Sequence, residues 1–291
     1  MKAIVGLVAG VIAMLPGSAS ARDFAVSPQY DSTHVYVAPA DINAFLTSFT
    51  ATFGGSVTKP NLVQVTPTPS KTISQLAQTP VGTLSVFAFQ TPIPFPFGSE
   101  RTGYLVTDLD AAVAAAKAAG ATVLVEPFPD PIGRDALIQW PGGVGMQLYW
   151  HTVAPHYPAL ATIPENRIYL TKGAADAFLR AWLRFSHGHI LSDHSVISGA
   201  AFGRSESQVR LVRIQSRYGE MVVVAGDGAW PWPYGREISG YGVTDLAATL
   251  EKANAAGAVT LISAHDVDGR QEAMLQFPGG YIAAVHGPAG R

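Results

Sequence analysis

No cysteine occurs among the 291 residues, which removes disulfides, thiolate metal ligands and cysteine nucleophiles together. Charge is scarce as well. Only 14% of residues are Asp, Glu, Lys or Arg, the net charge is −2, and the basic residues are dispersed, so there is no electrostatic footprint for nucleic acid. No apolar run reaches the roughly 20 residues that cross a bilayer. There is no G-x-S-x-G elbow, phosphate-binding glycine loop or dinucleotide fingerprint. The glycines of WPGGVG, 140–145, precede a strand pattern, so they cannot present a helix N-terminus to phosphate. What remains is a partner that is a small molecule, with neither nucleic acid nor membrane expected for the mature chain.

The hydrophobic fraction, 48%, suits two ordinary domains with sizeable cores. The first 21 residues have the layout of a secretory signal: Lys2, an apolar run to Leu15, a Pro16-Gly17 break and the small residues Ala19-Ser20-Ala21. Cleavage is expected after Ala21, giving a periplasmic or secreted protein. Removal of Lys2 leaves 18 of the 19 basic residues against 21 acidic ones, a net charge of −3.

The first segment after the leader is irregular and reads as an extended arm. HVYV at 34–37 then has strand composition, with His34 and Tyr36 on one face. Asp41 opens a helix in which Phe45, Leu46, Phe49 and Phe53 recur at helical spacing, and Gly54-Gly55 ends it. Three strand patterns follow, the clearest over 83–90, and then an alternating-proline connector that fits neither helix nor central strand. From Gly103 the order repeats as strand, helix capped by Asp108 and stopped at Gly120, and three strands, the last two joined by Pro141-Gly142-Gly143.

The second half repeats the first. In the helix of the first unit, Ala44-Phe45 matches Ala177-Phe178. Further on, PFPFGSERTGY (94–104) matches PWPYGREISGY (231–241), Asp108 matches Asp245, Gly120 matches Gly257, and the PGG at 141–143 matches that at 278–280. These four later pairs all keep the same separation along the chain. One constant offset through four motifs marks an internal duplication. The chain therefore reads as α+β: four βαβββ units in two tandem pairs. The division expected is 22–153 for the first domain, 154–165 for a proline-containing linker and 166–291 for the second domain.

HVYV before a helix, TDLDAAVAAAKAAGA, IGRDALIQWPGG and MQLYW resemble the glyoxalase/bleomycin-resistance/dioxygenase family, the vicinal oxygen chelate (VOC) superfamily, over about residues 32–287. The resemblance implies that each pair of units forms one cupped mixed sheet with helices outside. It also implies that metal ligands come from the first and last strands of each unit. By position these are His34, Ser85, Gly103 and Gln147 in the first domain, and Arg167, Val222, Gly240 and Ala284 in the second. His34 and Gln147 are thus the expected ligands of a divalent metal, and the second domain is expected to be degenerate, with none.

Two-residue alternation puts Tyr149 and His151 on the face of Gln147, and Phe87 and Phe89 on that of Ser85. Tyr36 and Tyr149 are the candidate hydrogen-bonding or acid groups. Phe87, Phe89 and His151 are candidate ligand-binding residues, and the same aromatics also fit an ordinary core. Two functions stay open: a metal-dependent lyase or dioxygenase, and a metal-free protein that sequesters a small, largely apolar compound. Family members pair their domains within one chain or between chains, so a homodimer is among the assemblies implied. His187, His189 and His194 have a spacing compatible with a metal, but without a counterpart in the first domain they read as a solvated turn. Arg134 and Arg270, each after a glycine, are either anion contacts or exposed turn charges.

Overall fold

A computed structural model describes residues 23–26, 29–99, 101–235 and 237–290. The expected leader and its cleavage point after Ala21 lie outside the described residues.

The first half contains β1 (Thr33–Tyr36), α1 (Ile42–Phe53), β2 (Ser56–Val57), β3 (Asn61–Val63), β4 (Thr72–Thr79), β5 (Gly82–Phe89), β6 (Arg101–Leu105), α2 (Leu109–Ala119), β7 (Thr122–Pro129), β8 (Gly133–Trp140) and β9 (Val144–His151). The second contains β10 (Glu165–Thr171), α3 (Lys172–Ser186), β11 (His189–Ser198), β12 (Gln208–Ser216), β13 (Gly219–Gly226), β14 (Ile238–Gly242), α4 (Leu246–Ala255), β15 (Val259–Val267), β16 (Arg270–Gln276) and β17 (Ile282–Pro288). Both halves obey the βαβββ expectation; in the first unit alone, the strand after the helix is split into β2 and β3, with Lys59-Pro60 between them.

Each half folds into one curled mixed sheet. The orders are β2-β4-β5-β1-β6-β9-β8-β7, with β3 also on β4, and β11-β12-β13-β10-β14-β17-β16-β15. The first strands of the two units meet antiparallel at the centre, His34 opposite Arg101 and Arg167 opposite Ile238. Each also runs parallel to its own unit's last strand, so His34 faces Ser85 and Gly103 faces Gln147.

Asp108 and Asp245 cap their helices as expected, accepting hydrogen bonds from the amides of Ala111 and Ala248. Gly120 closes α2 in the left-handed region, φ 112°, where a Cβ would be strained. The helices lie outside both cups, on the convex backs of the sheets, and the backs face each other. α2 packs on α3 and α1 on α4, forming two cores that each draw on both halves. In one, Trp182 of α3 meets Trp140 and Tyr104, at 5.6 and 5.9 Å between ring centroids. In the other, Phe49 of α1 meets Tyr241 at 5.5 Å. The alternation that sends Val35, Leu84 and Val86 to the back sends His34, Tyr36, Ser85 and Phe87 into the first cup.

Candidate functional site in the first cup

The concave face of the first sheet encloses a cavity of about 330 Å3, lined among others by His34, Tyr36, Ser85, Phe87, Gln147, Tyr149 and His151, within the usual size range of small-molecule sites. Three strands, β1, β5 and β9, thus bring together most of the residues singled out in the sequence. Phe89 stands behind the lining and stacks on Tyr36, with ring centroids 6.0 Å apart. Phe87 lies against both Tyr36 and His34, at 5.6 and 5.7 Å.

His34 is buried, and both of its ring nitrogens face protein atoms. Nδ1 donates to Gln147 Oε1 at 3.0 Å, and Nε2 faces Asp31 Oδ2 across 3.5 Å. Its ring also fills the space over Gly103, where a Cβ would come within 2.9 Å of His34 Cε1. The side chain that the fold would place there as a further ligand has no room.

This donor set does not fit a divalent metal. A catalytic site takes about three protein ligands with an open position. Here the expected pair is hydrogen-bonded to itself, the third position is glycine, and Ser85 donates to Asp31 Oδ2 at 2.8 Å. Among the described residues no group of three or more His, Asp or Glu is arranged to hold a metal ion.

The polar centre of the cup contains residues that the sequence did not single out: Asp31, Asp130, Asp135 and Tyr157. Asp31 comes from the arm that precedes β1. Its Oδ1 accepts from Tyr157 Oη at 2.9 Å, and its backbone oxygen accepts from Tyr149 Oη at 2.5 Å. Burial alone would raise the Asp31 carboxyl, but the hydrogen bond and charge of His34, with Ser85 and Tyr157, hold it below its ordinary value of 3.8. Asp135 of β8 is shifted the opposite way, well above that value, by burial and then by the negative charge of Asp130, against a hydrogen bond from Gln147. Asp130, beyond β7, is also raised by burial, although the amides of Ile132 and Gly133 oppose the shift. Burial lowers His151, so the ring is neutral near pH 7. Burial and the Asp31 charge push Tyr149 well above 10 and keep it a phenol donor.

The second cup is filled at its centre, and a cavity of about 890 Å3 lies between β11 and β15, lined among others by Ile197, Tyr234, Ile262 and His265. Tyr169, Val222, Val224, Met274 and Ala284 belong to a buried apolar cluster on its concave side. At the place of His34 stands Arg167, which donates to Glu272 Oε2 at 2.6 Å. Arg270 donates from Nε to Glu272 Oε1 at 2.8 Å and from Nη2 to Glu165 Oε1 at 2.7 Å. Burial would raise Glu272, yet Arg167 and Arg270 hold it below 4.5.

Arg270 is therefore neither an exposed turn charge nor an anion contact but part of a buried ion-pair network. Arg134 points elsewhere, donating to both oxygens of Asp110 on α2 at 2.8 and 3.0 Å. The two Gly-Arg pairs look alike, but their separation falls a single position short of the offset that the other motifs share. That single position turns their side chains to opposite faces of their strands. The three histidines do not gather either: His187 is the left-handed C-cap of α3, and His194 of β11 pairs with Asp268 at 3.0 Å.

No protein-family model matches the sequence, and no curated protein matches it either. Solved structures do match in shape. A mutant of 4-hydroxymandelate synthase from Streptomyces coelicolor superposes over 91% of this chain and 94% of its own with a TM-score of 0.58 at 13% identity. The 2,3-dioxygenase LapB from Pseudomonas sp. KL28 covers 92% and 94% with a TM-score of 0.55 at 10% identity. A xylose isomerase-like TIM barrel/4-hydroxyphenylpyruvate dioxygenase fusion protein covers 92% of this chain and 50% of its own, with a TM-score of 0.52 at 11% identity. With its two curled sheets and four outer helices, the chain has the tandem two-domain fold of the vicinal oxygen chelate proteins.

Proposed function

We propose that the first cup is a binding site for a small organic molecule and that it works without a divalent metal. The observation that carries this reading is the hydrogen bond between His34 and Gln147 beside an aromatic-walled cavity of about 330 Å3. Those two side chains are bonded to each other, and the carboxylates of Asp31, Asp130 and Asp135 and the phenols of Tyr36, Tyr149 and Tyr157 line the cavity together with Lys59, Gln75 and His151. The second domain supplies support: its helices complete both cores behind the first sheet, and ion pairs among Arg167, Arg270, Glu165 and Glu272 occupy the centre of its own cup. The metal-dependent lyase or dioxygenase alternative draws on fold likeness alone, and fold does not determine chemistry.

We further propose that the chain is exported, on the strength of its leader-like N-terminus, and that its domains divide near 154–165. The division is supported by the last strand of the first sheet ending at His151 and the first of the second beginning at Glu165. N-terminal sequencing of the secreted or periplasmic form should begin at Arg22. A start at Met1 in the cytoplasm contradicts export.

The binding reading is tested by thermal shift against a chemically diverse compound panel in the presence of a chelator. Stabilising compounds are expected, and Tyr36→Ala and Phe87→Ala should weaken them. Hits that vanish on chelation, or that ignore both substitutions, contradict it.

A further inference from the structure

The two cups are built on one repeat and differ in how they treat the same buried carboxylate. Asp135 of β8 and Glu272 of β16 occupy matching places at the common offset of the repeat, Asp135 opposite Tyr149 and Glu272 opposite His286. Glu272 is met by two guanidinium groups, Arg167 at 2.6 Å and Arg270 at 2.8 Å. The matching positions in the first cup are His34, which is turned to Gln147 and Asp31, and Gly133, which has no side chain.

In place of those guanidiniums the first cup has its cavity, which Asp31, Asp130 and Asp135 all line. Lys59, also in the lining, is exposed in the connection between β2 and β3. A buried carboxylate is costly unless a cation or several donors meet it. The rings of Tyr36, Phe87 and Tyr149 add faces that attract organic cations.

We propose that the first cup selects an organic cation, a primary ammonium or guanidinium on an aryl or alkyl body. Its head meets Asp135 as Arg270 meets Glu272 in the second cup, with Asp31 and Asp130 adding negative field and the aromatic rings holding the body. This inference rests on the reading of the first cup as a small-molecule site, which it narrows to one charge class.

The test is calorimetric titration of the full chain with three ligands of one skeleton: phenethylamine, phenethyl alcohol and phenylacetate. The amine should bind at least about tenfold tighter than the alcohol, as a charge-assisted contact requires, and phenylacetate weakest. Asp135→Asn should erase the preference while the alcohol still binds. His34→Arg, which places in the first cup the residue found at position 167, should do the same and serves if the Asn variant does not fold.

Equal binding of alcohol and amine, or tighter binding of phenylacetate, overturns the cation inference and leaves the small-molecule reading intact. The same holds if none of the three binds while a broader panel gives hits. No hit in any panel overturns both.

Discussion

His34 Nδ1 lies 3.0 Å from Gln147 Oε1, so the two side chains that the fold would turn toward a metal are joined to each other. The position between their strands is Gly103, and the imidazole occupies the space that a side chain there would need. Both features follow from one arrangement. The ring occupies the space over the glycine because nothing projects from it, and from there it reaches Gln147 on one side and Asp31 on the other.

Gly103→Ala tests this packing. The new methyl would sit 2.9 Å from His34 Cε1, so the ring must move and give up at least one of its partners. A loss of about 1–3 kcal/mol is expected from overpacking of this kind, measured by urea denaturation. An unchanged midpoint would show that the ring is not held against the glycine.

In the second cup, Arg167 is 1% exposed and bonded to Glu272. Arg167→Met should cost about 1–3 kcal/mol, because Glu272 loses one of its two guanidinium partners and keeps only Arg270. Replacing Glu272 by Gln in the same chain should recover part of that loss. Additive losses in the double variant would show that the two side chains are not energetically coupled.

The pH dependence should carry the mark of His286. Burial first, and then the charges of Arg270 and Arg167, lower it from 6.5 to about 4, against the pull of Glu165. The unfolded chain takes up that proton near pH 6.5 while the folded chain does not. Stability is therefore intact above 6.5 and declines as pH falls toward 4, by up to about 3 kcal/mol from this group. Glu272, held below 4.5 in the folded state, adds a loss only at lower pH. Thermal melts of His286→Asn between pH 7 and 4.5 should show a flatter slope than the parent; an equal slope assigns the decline to other groups.

Much of the fold was legible from the repeat, because a constant offset carries strand, helix and turn signals together. Asp108 and Asp245 at the helix starts, and the paired PGG turns, fell where the chain places them. The site was legible only where alternation governs it. His34, Tyr36, Phe87, Gln147, Tyr149 and His151 share a concave face by two-residue spacing. Asp31 and Tyr157 escaped because they sit in an irregular arm and in the linker, where no period tells which way a side chain points. Asp135 did leave a signal. An acidic residue inside an otherwise apolar strand recurs as Glu272 at the common offset, and strict use of that offset would also have separated Arg270 from Arg134.

The cores between the sheets make the halves interdependent. Trp182 of α3 is 1% exposed and packs on Trp140 and Tyr104 of the first half. Trp182→Ala should cost about 3–5 kcal/mol and lower a single melting transition shared by both halves. Two separate transitions would show that the halves fold on their own.

The first cup is proposed to take a small molecule without a metal. Metal analysis of the protein isolated from its native compartment without chelators, beside His34→Ala, addresses it most directly. No stoichiometric transition metal or zinc is expected in either protein. One metal ion per chain in the parent, lost in His34→Ala, would contradict it.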